Sequence, residues 1–239
     1  MNEIKNNFFV QNELEKKVKG KRTFYVNLIN RLFEKFNLLH RLTKIPDPFS
    51  DMTVIEHRLN LYHLLTSVIE NGVEGDVVEF GVYTGETALL LQKTLKLHGS
   101  PKTLHLYDTF DVKFVDFEES VESELMNNFK SNNLDLPVIH KGLFQDTFPS
   151  QLPDKIAFAH IDCGLGGNVE LHRDVLLYCL EQLYPRLTQG GICALMDYDI
   201  VRNEKANNPG VKMAADLFFA DKPEAVFALF GDQGYFKKL

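Results

Sequence analysis

From Gly75 to the last residue, short apolar runs alternate with amphipathic stretches, and the final two runs are joined by only four residues. The apolar runs are Val77–Phe80, Leu104–Tyr107, Val138–Ile139, Ile156–Ile161 and Ile192–Met196. Helical patterns fall at Thr87–Leu97, Val121–Phe129, Leu171–Leu187 and Val211–Phe219. Such alternation builds a parallel sheet with helices on both faces. The close of the chain differs. Ala225–Phe230 and Tyr235–Leu239 flank Gly231-Asp232-Gln233-Gly234, a loop too short for a parallel crossover. The expected fold is therefore α/β and Rossmann-like, with a seven-stranded, mostly parallel sheet and a C-terminal antiparallel hairpin.

Ahead of this lies a helical extension. Phe24–Leu42 carries Leu28, Ile29, Leu32, Phe33, Phe36, Leu39 and Leu42 at helical spacing. Ile45-Pro46-Asp47-Pro48 then breaks the chain. A second helix runs from near Thr53 to before Gly72, with Ile55, Leu59, Tyr62, Leu65 and Ile69 on its expected apolar face. The division expected is residues 1–50 as a lid or dimer contact and residues 51–239 as the main domain.

Charge follows the same division. Residues 1–50 hold ten Lys/Arg and five Asp/Glu, so a chain of net −7 carries −12 on the rest. No aromatic–basic interleaving accompanies the basic segment, and an acidic body repels a polyanion, so no nucleic-acid partner is expected. No apolar run approaches the roughly 20 residues that cross a bilayer, and no secretory core is visible. Cys163, Cys179 and Cys193 show no Cys-x-x-Cys spacing and read as reduced thiols. The reading is a cytoplasmic homo-oligomer without a membrane partner.

In open α/β sheets ligands bind beyond the carboxyl ends of the strands, so the residues found there carry the chemistry. The first strand delivers Glu79 into Gly81-Val82-Tyr83-Thr84-Gly85, where bare backbone and a helix start can receive a ligand. The second ends at Asp108, suited to ribose hydroxyls. The fourth ends at His160-Ile161-Asp162, and the fifth at Met196-Asp197-Tyr198-Asp199. Asp162 and Asp197, ending neighbouring strands, would meet in one crevice, where their repulsion must be offset by a cation or a proton. Each also has a plainer structural role open to it: Asp108 as a cap, His160 as a packed polar residue.

A nicotinamide site needs Gly-x-Gly-x-x-Gly with backbone beneath a pyrophosphate. Glu79 stands where the first of those glycines belongs, and a carboxylate repels a diphosphate. The turn suits a nucleoside without phosphates, and S-adenosylmethionine has both ribose hydroxyls and an ammonium group.

Over roughly residues 50–220 the chain resembles the class I S-adenosylmethionine-dependent methyltransferases, and among them the macrocin O-methyltransferase-like family. The resemblance rests on Asp51–Ile55 with Arg58-Leu59, Gly75–Val82, Asp108-Thr109-Phe110, Gly142–Pro149, and Leu183–Leu187 with Gly190-Gly191. It implies O-methylation of a small-molecule hydroxyl, foremost on a sugar of a glycosylated natural product. It further implies a cofactor site at Glu79, Gly81, Tyr83, Thr84, Gly85, Asp108, Thr109, Phe144 and Asp162. Asp162 and Asp197 would ligate Mg²⁺, and Asp162 or His160 would take the hydroxyl proton.

Two departures touch the acceptor side. Met196-Asp197-Tyr198 stands where the family has Asp-Asp-Tyr, and Cys163–Glu170 is longer and richer in glycine than the family's Asp-x-Asp-x-Tyr-Glu-Ser run. A metal-independent methyltransferase acting on another oxygen or nitrogen, and a cofactor-binding protein without transferase activity, stay open beside the leading reading.

Overall fold

The computed structural model describes residues 23–38, 40, 42, 53–113, 119–164, 167–200 and 208–239. The Ile45–Pro48 break, part of the Cys163–Glu170 segment and residues 1–22 lie outside these. The chain divides at Ile55/Glu56 into two units.

In the first unit, helix α1 (Thr23–Lys35) ends well short of Leu42. Asn37 takes a left-handed φ of 53°, which stops the helix, and Leu38 N returns to Phe33 O. The expectation of one helix to Leu42 is corrected accordingly. Asn30 instead bonds the backbone of Leu42 in both directions.

The second unit holds a seven-stranded sheet in the order β3-β2-β1-β4-β5-β7-β6. Its strands are β1 (Asp76–Phe80), β2 (Leu104–Asp108), β3 (Val138–Lys141), β4 (Ile156–Ile161), β5 (Leu187–Leu195), β6 (Phe227–Leu229) and β7 (Gln233–Lys237). All neighbours are parallel except β5·β7 and β6·β7, so β7 is the one reversed strand. The terminal hairpin forms as expected, but its turn is tighter. Gly231 and Asp232 take φ of 81° and 54°, and Gln233-Gly234 already belong to the strand.

Helices α2 (Ile55–Glu70), α3 (Glu86–Leu97), α4 (Val121–Ser131), α5 (Phe144–Thr147), α6 (Val169–Leu183) and α7 (Gly210–Phe219) complete the described elements. One core gathers Val78, Phe80, Ala159 and Ile161 with Leu176, Leu180 and Leu183 of α6 and Val211, Ala214 and Ala215 of α7. Alternation along the strands sends Val77, Glu79, Phe158 and His160 to the other face. There, α2 and α3 bury Leu61, Leu65, Val68, Ala88, Leu91 and Leu95.

The buried face of α2 is rotated from the expected one. Arg58, Leu61, Tyr62, Leu65 and Val68 are enclosed, while Ile55 and Leu59 are exposed. The cause is tertiary: His57 Nε2 meets Gly231 O at 2.5 Å, and Asn60 donates to Phe230 O and Gln233 Oε1. These bonds to the hairpin set the rotation of a helix whose own pattern is only weakly one-sided.

Candidate active site

The two parts of the carboxyl edge are built differently. On the β1/β2 side, Asp108 gathers the turn. Its Oδ2 accepts from Val82 N (2.7 Å) and Tyr83 N (3.0 Å), and its Oδ1 from Phe110 N (2.8 Å). Three backbone donors hold this carboxylate, while Asn128 of α4 donates to Thr84 O. The structure thus gives Asp108 a scaffolding role alongside the one expected toward a ribose.

The glycines of this turn are also committed to the protein itself. A Cβ at Gly81 would fall 1.9 Å from Asp162 O, and Asp162 N donates to Phe80 O at 2.8 Å. The exits of β1 and β4 are pressed together there. At Gly85 a Cβ would fall 2.1 Å from Leu125 Cδ1, so α4 fills the space. Both glycines have left-handed φ, 82° and 84°. Their bareness serves backbone and helix packing.

Glu79 and His160 are register partners across β1 and β4. Glu79 Oε1 and His160 Nδ1 stand 2.9 Å apart, and both side chains are enclosed. Burial pushes Glu79 well above the usual carboxylate range, with Asp108 adding to it, and pushes His160 down. Both shifts favour the neutral forms. Glu79 Oε2 and His160 Nε2 are buried with no hydrogen-bond partner among the described residues. They are the atoms here that a bound polar group would satisfy. His160 itself is 0% exposed.

Of the other expected cofactor contacts, Thr84 is buried, and the Thr109 hydroxyl donates to Asp111 Oδ1. Tyr83 has a φ of 53°. Phe144 opens α5 and stacks on Phe148 at 5.3 Å.

On the β4/β5 side, titratable groups crowd together. Burial raises Asp162 to about 7; His160 opposes this, and Asp197 and Glu79 add to it. Burial likewise raises Asp197, opposed by Asn208, whose Nδ2 donates to Asp197 Oδ2 at 2.6 Å. Beside them is a residue the sequence did not single out. His172, on the first turn of α6, has its pKa raised, first by the Cys163 thiol, with Asp197 and Asp162 contributing. Cys163 is lowered to about 6, first by Cys179 and then by His172. In the sequence His172 is one polar position in an amphipathic pattern. Its only signal is the pair of glycines, Gly164 and Gly210, that pack on its ring and Cβ.

The donor set does not suit the expected Mg²⁺. The carboxylate of Asp197 is turned to Asn208, Met196 is buried, and among the described residues no three His, Cys, Asp or Glu side chains are arranged to hold a metal. Mg²⁺ asks for near-octahedral oxygen ligation.

Comparison with known proteins places this edge in context. The model of the macrocin-O-methyltransferase (TylF) family matches residues 34–216, from the end of α1 through most of α7. The chain is 27% identical over 164 residues to mycinamicin III 3''-O-methyltransferase of Micromonospora griseorubida, covering 59% of this chain and 62% of that protein. It is 28% identical over 162 residues to a tetracenomycin-rhamnosyl 4'-O-methyltransferase of Streptomyces olivaceus, covering 59% of each. The chain thus spans about three fifths of the length of the curated relatives it matches. Among solved structures it is similar to the O-methyltransferase NovP, with a TM-score of 0.66 and 23% identity over 91% of this chain and 99% of that one. That likeness shows the class I methyltransferase fold. On the family match over residues 34–216, which takes in the exits of β1 to β5, the chain belongs to the macrocin-O-methyltransferase (TylF) family.

Proposed function

We propose that this protein is an S-adenosylmethionine-dependent O-methyltransferase acting on a sugar hydroxyl of a glycosylated small molecule. The observation that carries this reading is the family match over every strand end that lines the crevice, residues 34–216. The two curated relatives are O-methyltransferases by name, and the second name includes a rhamnosyl sugar, which supports the acceptor class.

The unpartnered Glu79 Oε2 and His160 Nε2 fit a polar ligand at the β1/β4 exit. Glu79, Gly81, Tyr83, Thr84, Gly85, Asp108, Thr109, Phe144 and Asp162 would hold the cofactor. When bound, S-adenosylmethionine supplies a methyl group on a sulfonium sulfur, which leaves with the carbon–sulfur electron pair. Asp162 takes the hydroxyl proton as the acceptor oxygen bonds that methyl carbon. A carboxyl group raised to about 7 is matched to this exchange near neutral pH. No step is assigned to a metal.

The N-terminal segment is read as a lid or subunit contact in a homo-oligomer. Phe24, Tyr25, Leu28, Leu32 and Phe36 of that segment are 46–68% exposed, which supports a partner for it. No described helix is long and apolar enough to cross a membrane.

S-adenosylhomocysteine is expected to raise the unfolding midpoint by several degrees, as a ligand bound only by the folded state must, and NAD to leave it unchanged. A midpoint indifferent to S-adenosylhomocysteine at millimolar concentration would sink the reading.

A further inference from the structure

Two polar side chains lie next to each other inside the sheet, at positions where apolar ones would pack. Alternation along β1 and β4 sends Glu79 and His160 to the face covered by α2 and α3, and the parallel register makes them direct partners. They are 1% and 0% exposed, and Glu79 Oε1 stands 2.9 Å from His160 Nδ1. Two residues toward the amino end, the same face carries Val77 and Phe158, also register partners and fully enclosed. No polar group meets the pair from that direction. Toward the carboxyl end the strands part almost at once, where Asp162 N donates to Phe80 O and Gly81 begins the turn.

Glu79 has an oxygen to spare and no cation. Among the described residues its ion-pair partner is His160, no Lys or Arg pairs with it, and Oε2 is buried without a hydrogen bond. A carboxyl group enclosed in this way calls for a donor, and best for a positively charged one. It also has to be aimed, because side-chain freedom lost at the moment of binding weakens the ligand's hold. His160 supplies the aim in advance. Its bond from the neighbouring strand engages Oε1 and leaves Oε2 for the ligand. Against an ionised carboxylate, Nδ1 is the ring nitrogen that carries the proton of that bond.

We propose that His160 is a positioning residue for the cofactor: through Nδ1 it holds Glu79 so that Oε2 receives the ammonium group of S-adenosylmethionine. The inference rests on the function proposed above, which makes that cofactor the ligand. It gives His160 a part different from both readings open to it in the sequence, the packed polar residue and the base. What matters in this side chain is one N–H at one distance from its backbone. An amide that places an N–H at the same point does the same work.

The test is calorimetry on the full chain with two probes, S-adenosylhomocysteine and its desamino analogue, which keeps the nucleoside, the sulfur and the carboxylate but has no ammonium group. Wild type is expected to prefer S-adenosylhomocysteine at least ~10-fold, the contribution of one hydrogen bond to a charged group. In His160→Asn the amide nitrogen falls near the place of Nδ1, and the preference should stay within about threefold of wild type. In His160→Leu the donor is gone, and in His160→Gln it is carried to the place of Nε2. Both should lose the preference roughly tenfold while binding the desamino analogue as wild type does. Gln serves if Leu does not fold. The proposal is overturned if Gln or Leu keeps the preference, if a folded Asn variant loses it, or if the variants weaken both probes alike, as a merely structural role would. A wild type that binds S-adenosylhomocysteine without preferring it sinks this inference alone. A wild type that binds neither probe sinks the methyltransferase reading and the inference with it.

Discussion

The β1/β2 side of the carboxyl edge and the β4/β5 side lie in one sheet but are held by opposite means. On the first, Asp108 is pinned by three backbone N–H groups, and the glycines are pinned by contacts a methyl group would violate. On the second, Asp162, Cys163, His172 and Asp197 have shifted pKa values, and a side chain, Asn208, holds the carboxylate of Asp197. Backbone bonds are indifferent to pH and to the identity of an acceptor. Side-chain charge is not. The first side is thus suited to a constant ligand, and the second can be altered, as Met196 shows, without disturbing the sheet.

The contrast breaks most sharply at Gly81. Gly81→Ala sets a methyl group against Asp162 O in a left-handed conformation. It should cost about 3 kcal/mol or more, from ~1–3 of overpacking and ~1–2 of backbone strain. For a domain of this size that is a fall of roughly 10 °C in midpoint, read by calorimetry. A midpoint unchanged by the methyl group would mean the strand exits are not pressed together.

Asp108→Asn is gentler, because one oxygen survives to accept. A loss of about 1–2 kcal/mol is expected from weakened or broken bonds to the turn, with S-adenosylhomocysteine binding weakened about tenfold. Denaturant titration and calorimetry read the two effects. Loss of binding without loss of stability would show Asp108 acting on the ligand alone.

Asp162→Asn differs from both in that its mark is a slope against pH rather than a fixed loss. The folded-state pKa is raised from 3.8 to about 7, so this group favours folding below pH 4 and loses that contribution as pH rises toward 7. The change is at most ~1.4 kcal/mol per pH unit across that window. Relative to wild type, the variant should gain stability with rising pH between about 4 and 7 and stay level above. Parallel profiles would show that the carboxyl is not held up by burial.

Periodicity placed the strands within a few residues, and the reversed strand could be read from the short glycine-rich link. Helix rotation was less legible. In α2 the apolar residues ring the helix, so Ile55 and Leu59 looked as fit for burial as Leu61 and Val68 until the hairpin bonds of His57 and Asn60 chose between them. Among candidate residues, Glu79, Asp108, Asp162 and Asp197 could be placed at the carboxyl edge because strand ends are predictable places. His160 was placed correctly on its strand, but its bond to Glu79 depends on a register the sequence does not display. His172 escaped notice because its partners lie 8 and 9 residues before it and 25 after it: Gly164, Cys163 and Asp197.

The sequence by itself determined the layer order, the strand ends and so the line along which ligands can lie, because local periodicity and loop length leave few ways to assemble them. The tertiary structure alone decided what the polar groups on that line do. Whether Glu79 is charged, whether Gly81 serves a ligand or the carbonyl of Asp162, and whether a proton or a metal offsets Asp162 and Asp197 depend on burial and distance across strands. Those quantities exist only once the chain has closed on itself.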